Sequence, residues 1–169
     1  DKDIDIYNPK KRKEELIFQQ ENIEVLKVGL VIVGILTLPV FFFLKPLSVI
    51  FLFALYLLAY FYSCKPFRFK EKVILDSITN TAYIFALLAS YYEIKGEFPE
   101  SIILFAMSIL MMGMHIYSAI PDIESDTKGS IRTTATFLGS NRSFILVTFL
   151  WFVFAMVMLS KSYLFFVFL

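Results

Sequence analysis

Five stretches of this chain are each long and apolar enough, or nearly so, to cross a lipid bilayer. They run from about Val25 to Leu44, Pro46 to Ser63, Val73 to Tyr92, Ser101 to Pro121 and Phe144 to Ser160. A hydrocarbon core about 30 Å thick takes about 17–25 residues of α-helix. A further apolar run opens at Tyr163 and reaches Leu169. Barrel strands are excluded, because they alternate apolar and polar residues and runs such as SVIFLFALYLLAYFY do not. The expected fold is therefore all-α, a multi-span transmembrane helical bundle of five full helices and the start of a sixth. The whole chain, 1–169, reads as one membrane domain that continues beyond both ends. Composition agrees: 58% of the 169 residues are apolar and 18% charged, against about 45–50% and about 25% in soluble domains.

Charge narrows the partners. The net charge is +1, which gives no global field for nucleic acid. Cys64 is the only cysteine and His115 the only histidine, so neither an intrachain disulfide nor a Cys/His zinc site can form. The polar connections sort into two sides. Residues 1–22, 64–72 and 122–142 carry twelve basic residues, and the opposite side carries Lys45, Lys95 and Lys161. The positive-inside rule places the three long polar segments in the cytoplasm. The expected location is the cell membrane, multi-pass, with these loops on the cytoplasmic face.

Two acidic clusters share that face. Asp122 and Asp126 are four residues apart, hence on one side of a helix. Carboxylates so close repel unless a cation lies between them. Mg²⁺ takes oxygen ligands, commonly one or two carboxylates with substrate phosphates. Lys128 and Arg132 follow and could neutralise phosphate oxygens. Asp1, Asp3 and Asp5 open the chain, with Asp1 and Asp5 at the same spacing and Lys10–Lys13 behind them. Such a pair of clusters suits Mg²⁺ ions clamping one diphosphate. A solvated acidic loop that only marks the membrane edge is the competing reading of either cluster alone.

The wording around these clusters resembles the UbiA superfamily of intramembrane prenyltransferases. Asp1-Lys-Asp-Ile-Asp5 is similar to the end of that family's first motif, NDxxDxxxD. Asp122-Ile-Glu-Ser-Asp126 is similar to its second, DxxxD, and KGSIRTTATFLG to the usual continuation. YSAIPDIESDTKGSIRTTATFLG is closest to the lycopene elongase-like branch. YSCKPFRFKEKVILD resembles a further family loop, with Lys65 where a small residue or proline is common.

The resemblance implies a nine-helix fold, of which these spans would be the third to seventh and the start of the eighth. It implies a membrane prenyltransferase that moves an isoprenyl group from an isoprenyl diphosphate to a lipophilic acceptor, a carotenoid such as lycopene or a quinone or aromatic precursor. Asp1, Asp5, Asp122 and Asp126 would be the catalytic, Mg²⁺-holding residues. Arg68, Lys70, Lys128 and Arg132 would bind diphosphate. Tyr62, Tyr117 and Asn80 would line the cavity or stabilise a carbocation, as aromatic faces can.

Three smaller features have two readings each. His115 lies two helical turns before Asp122 and could orient a carboxylate or accept a proton, or simply be a paired polar residue of the bundle. Asp76 and Asn80, also at i and i+4, could line the cavity mouth or make cap and interhelical hydrogen bonds. Met107, Met111, Met112 and Met114 read as packing. The alternative function is a cation or small-molecule transporter, which would place acids inside the spans. Here the acids sit at span ends.

Overall fold

The structure, a computed structural model, describes residues 20–161, with side chains from Ile23 onward. Asp1, Asp3, Asp5 and the run from Tyr163 lie outside the described residues. The described part is helical throughout, without a strand: α1 (Gln20–Thr37), α2 (Pro46–Ser63), α3 (Leu75–Asn80), α4 (Ile84–Lys95), α5 (Ser101–Ala119), α6 (Ile123–Lys128), α7 (Thr134–Leu138) and α8 (Ser140–Ser160). Among the described residues, four stretches are long and apolar enough to cross a membrane: Ile23–Phe42, Pro46–Ser63, Ser101–Lys128 and Ser140–Ser160.

The expected third span differs. Instead of one helix over Val73–Tyr92, α3 and α4 are joined by a 3₁₀ turn at Thr81–Tyr83. The cause lies in the polar residues at the joint. The Thr79 hydroxyl donates to the Leu75 carbonyl and the Thr81 hydroxyl to that of Ile78, 2.7 Å away. Such side chains compete with the backbone ladder and bend it.

Two helix pairs form the bundle, α2 on α4 and α5 on α8, and the short α3 bridges them by packing on α2 and α5. Many of the buried residues are small, Ala89 in α4, Ala106 and Gly113 in α5 and Ser143 in α8, beside the larger Ile109 and Ile116 of α5 and Val147 of α8. Large side chains such as Phe149 and Phe152 face outward. A bilayer inverts the soluble pattern in this way, because lipid offers no hydrophobic drive to bury them and close backbone approach holds the helices instead. Pro46 starts α2, where its missing N–H is not needed. Gly96 ends α4 at φ +75°. Lys45 ties these two points together. Its backbone N–H donates to the Glu93 carboxylate at 2.9 Å, and its ammonium to the Glu93 carbonyl at 2.8 Å.

Gly113 sets how closely α5 approaches α8. A Cβ there would lie 2.7 Å from Trp151 Nε1, so the indole occupies the space of a side chain. Gly113→Leu should therefore destabilise the bundle by about 2 kcal/mol. Overpacking of up to about 3 kcal/mol outweighs about 1 kcal/mol gained by removing a helical glycine. A lowered thermal midpoint in detergent is the expected reading, and an unchanged one would contradict this packing.

Candidate active site at the polar end of the bundle

Three segments converge at one end of the bundle: the connection from α2 to α3, the run from the end of α5 through α7, and the polar face of α3. The α2–α3 connection is held down by rings. Phe67 lies 4.6 Å from Phe61 of α2 and 5.9 Å from Phe69, centroid to centroid. The chain turns through a cis Lys65–Pro66 bond and a left-handed Arg68 at φ 43°. This turn buries Lys70, only 7% exposed, within electrostatic reach of Asp126. Burial holds the Lys70 ammonium below the usual lysine range, while the neighbouring Glu71 and Asp126 carboxylates pull it back up. Arg68 Nε lies 2.9 Å from Glu71.

Asp76 fastens this connection to α7. Its carboxylate is fully buried. One oxygen accepts the Thr134 backbone N–H at 2.8 Å, and the other accepts the Thr134 hydroxyl and, at 3.3 Å, that of Ser77. The Thr134 Oγ1 in turn accepts the Ile74 N–H at 2.8 Å. Ile74 stands at φ 71°, ψ −46°, a region β-branched residues avoid. It persists there because its N–H and carbonyl are both committed, the latter to Ser77 and Ile78.

His115 of α5 completes the cluster. Its Nε2 lies 3.6 Å from Asp76 Oδ2, and its Nδ1 accepts a hydrogen bond from the Asn80 amide. Tyr62 of α2 meets the imidazole edge-on at 6.2 Å. Tyr62 is also within electrostatic reach of both Asp76 and Asp126, so it joins the buried cluster to the acidic motif.

Below this polar end lies an apolar cavity of about 930 Å³. Tyr62, Asn80 and Tyr83 edge it, and Leu52, Leu55 and Ala59 are among its walls. A smaller cavity of about 240 Å³ shares Asn80 and Tyr83 and adds His115, Met111, Met114 and Ser118.

The acidic motif lies where α5 passes through a 3₁₀ turn at Ile120–Asp122, with Pro121 in it, into α6. Helical backbone on either side keeps Asp122 and Asp126 on one face, both half-buried. Two such carboxylates match what Mg²⁺ asks of a protein when substrate phosphates supply the rest. Among the described residues no third His, Cys, Asp or Glu groups with them.

The other residues singled out in the sequence fall as follows. Tyr62 and Asn80 reach the large cavity. Tyr117 does not line it. Its ring sits 5.6 Å from Trp151 and 6.1 Å from Phe144 of α8, because one residue step along a helix turns a side chain by about 100°. Lys128 pairs with Glu124 at 2.6 Å on the exposed surface. Arg132 edges a separate hollow of about 480 Å³ with Thr127 and Thr136. Asp76 and His115 prove to be partners across helices. Thr134 went unnoticed in the sequence. The signal was Thr133-Thr134 before a short apolar run, a helix-cap pattern, with Thr133 accepting from Thr136 N.

An apolar helical bundle with a half-buried carboxylate pair and a buried lysine at one end, linked through Tyr62 to a large apolar cavity, defines a multi-span helical membrane protein. A family model, that of the UbiA prenyltransferase family, matches residues 1–169, and the chain belongs to that family. It is an integral membrane protein. Among known proteins it is similar to lycopene elongase/hydratase of Haloferax volcanii, 37% identical over 144 residues, which cover 85% of this chain and 47% of that protein. The protein of the same name in Haloarcula japonica is 37% identical over 151 residues, 89% of this chain and 51% of its own. That of Halobacterium salinarum is 35% identical over 153 residues, 89% and 54%. The chain thus spans about half the length of the curated relatives it matches. No solved structure matches it.

Proposed function

We propose that this chain carries part of the site of a membrane prenyltransferase. It moves an isoprenyl group from an isoprenyl diphosphate to a lipophilic acceptor, and the acceptor is a carotenoid of the lycopene type. The observation that carries this reading is the acidic motif, with the buried Lys70 in electrostatic reach of Asp126 and with Tyr62 linking Asp126 to a cavity of about 930 Å³ that its ring lines. The relatives' name, lycopene elongase/hydratase, supports the acceptor class.

The residues divide the work. Asp122 and Asp126 would hold Mg²⁺ with Asp1 and Asp5. Bound there, Mg²⁺ supplies a Lewis acid for the diphosphate oxygens. Lys70, Arg68 and Arg132 place positive charge on the same leaving group, Arg as a bidentate fork. Lys128 stands further out, already paired with Glu124. The cavity walls exclude water from the allylic cation left behind, and the Tyr62 ring offers its face to it. The loops around Arg68 and Asp122 face the cytoplasm.

The test uses the full-length protein in lipid. Diphosphate release is followed from a panel of isoprenyl diphosphates, with lycopene, quinone precursors or no acceptor, with and without Mg²⁺. Mg²⁺-dependent release coupled to prenylation of lycopene is the expected result. No release from any isoprenyl diphosphate would overturn the reading.

A further inference from the structure

A site that makes an allylic cation must stabilise it without reacting with it. Resting on the transferase reading above, we infer that the side-chain oxygen of Asn80 is a fixed dipole facing that cation, and that Asp76 and His115 are the positioning residues that aim it.

Three side chains in series set the aim. Asp76 is fully buried, and Thr134 and Ser77 hold its two oxygens. His115 turns Nε2 toward that carboxylate at 3.6 Å, and Nε2 has no hydrogen-bond partner among the described residues. A bare lone pair there would face negative charge, so Nε2 carries the ring proton. Nδ1 is then an acceptor, and the Asn80 amide must offer it N–H rather than oxygen. Both ring nitrogens are thereby engaged, and the amide is oriented from behind. Among the described residues Asn80 Oδ1 accepts no hydrogen bond, yet it is not sealed inside the protein. The open spaces that Asn80 borders are the two cavities, of about 930 and about 240 Å³. The Asp76 charge polarises the ring and the amide in one sense, with the negative end at that oxygen.

Below its headgroup an isoprenyl diphosphate is hydrocarbon and offers a carbonyl oxygen no donor. The oxygen gains a partner only when the allylic C–O bond breaks. The electron pair then leaves with diphosphate, and positive charge spreads over the allylic carbons. An attraction that appears with the charge speeds the step instead of merely tightening binding. The chemistry of an amide suits this place. A carboxylate facing the cavity would bond to the cation and end the reaction as an ester. Asp76 is kept from doing so, because the imidazole stands beside it and none of its surface is open. The depth agrees as well. His115 precedes Asp122 by seven residues, about 10 Å along a helix. Asn80, bonded to His115, therefore meets a ligand below a headgroup held at the acidic motif.

The test uses the full-length protein in lipid and reads binding and turnover separately. The probes are an isoprenoid ammonium, its nitrogen standing where the cationic carbon would be, and the uncharged carbon isostere, each with Mg²⁺ and inorganic diphosphate. Wild type should prefer the ammonium. Asn80→Leu should lower that preference by about tenfold, the worth of one oriented dipole facing a charge, and lower kcat for diphosphate release with little change in the donor KM. His115→Phe keeps a ring but removes Nδ1, so the preference should fall there too. The double variant should fall no further than Asn80→Leu alone. If Asn80→Leu does not fold, Asn80→Ala carries the same comparison. An unchanged preference in the Asn80 variant, or equal weakening of both probes, would overturn the inference, because Asn80 would then be only wall. Additive losses in the double variant would remove His115 from the positioning role. A wild-type protein that releases no diphosphate overturns the transferase reading, whereas release with an unchanged preference overturns this inference alone.

Discussion

Asp122→Asn in the full-length protein should lower Mg²⁺-dependent diphosphate release by about 100- to 1,000-fold, the scale of losing one preorganised electrostatic contact to a leaving group. The substitution keeps the size and helical setting of the side chain and removes its charge. Asp126→Asn should do the same and, in addition, leave Lys70 buried beside a neutral amide. Lys128→Ala is the internal comparison. Its ammonium is exposed and pairs with an exposed Glu124, so release should change less than tenfold. Initial rates across a Mg²⁺ titration separate the two cases. Asp122→Asn retaining more than a tenth of wild-type release at saturating Mg²⁺ would remove the carboxylate pair from the site.

Asp76→Ala should be the most destabilising single change at this end of the molecule. It removes the acceptor of three hydrogen bonds and leaves the Thr134 N–H buried with nothing to accept it. Charge-assisted bonds of this kind are each worth about 1.5–3 kcal/mol. The expected loss is therefore about 3 kcal/mol, read as a fall in the thermal midpoint in detergent. Thr134→Val removes the hydroxyl while preserving shape and should show a smaller loss. The double variant decides whether the two act together. Partners in one network couple by about 0.5–3 kcal/mol, so a double variant equal to the sum of the singles would falsify the link.

Much of the architecture was legible because the signals were local. The span Pro46–Ser63 coincides with α2, since a proline opens it and a polar Cys64-Lys65 step closes it. The end of α4 was marked by Gly96. The break between α3 and α4 was not legible, because hydropathy averages over Thr79, Asn80 and Thr81 and does not see where their side chains bond. Tyr117 shows a second limit. A helix that is apolar all round gives no moment from which to read its facing, so the choice between cavity and neighbour fell to packing against Trp151. The acidic pair was legible from its spacing. Its closeness to Lys70 was not, since 56 residues of chain separate them. The Asp76–Thr134 contact, 58 residues apart, lies beyond any local pattern.

That contact has a mechanical consequence. A hydroxyl both gives and takes a hydrogen bond, and Thr134 uses both capacities at once, toward Asp76 and toward Ile74. The two polar connections on this side are therefore not independent gates. A displacement of one connection would therefore pull on the other through Thr134. This end of the molecule is thus one tied unit rather than two separate loops.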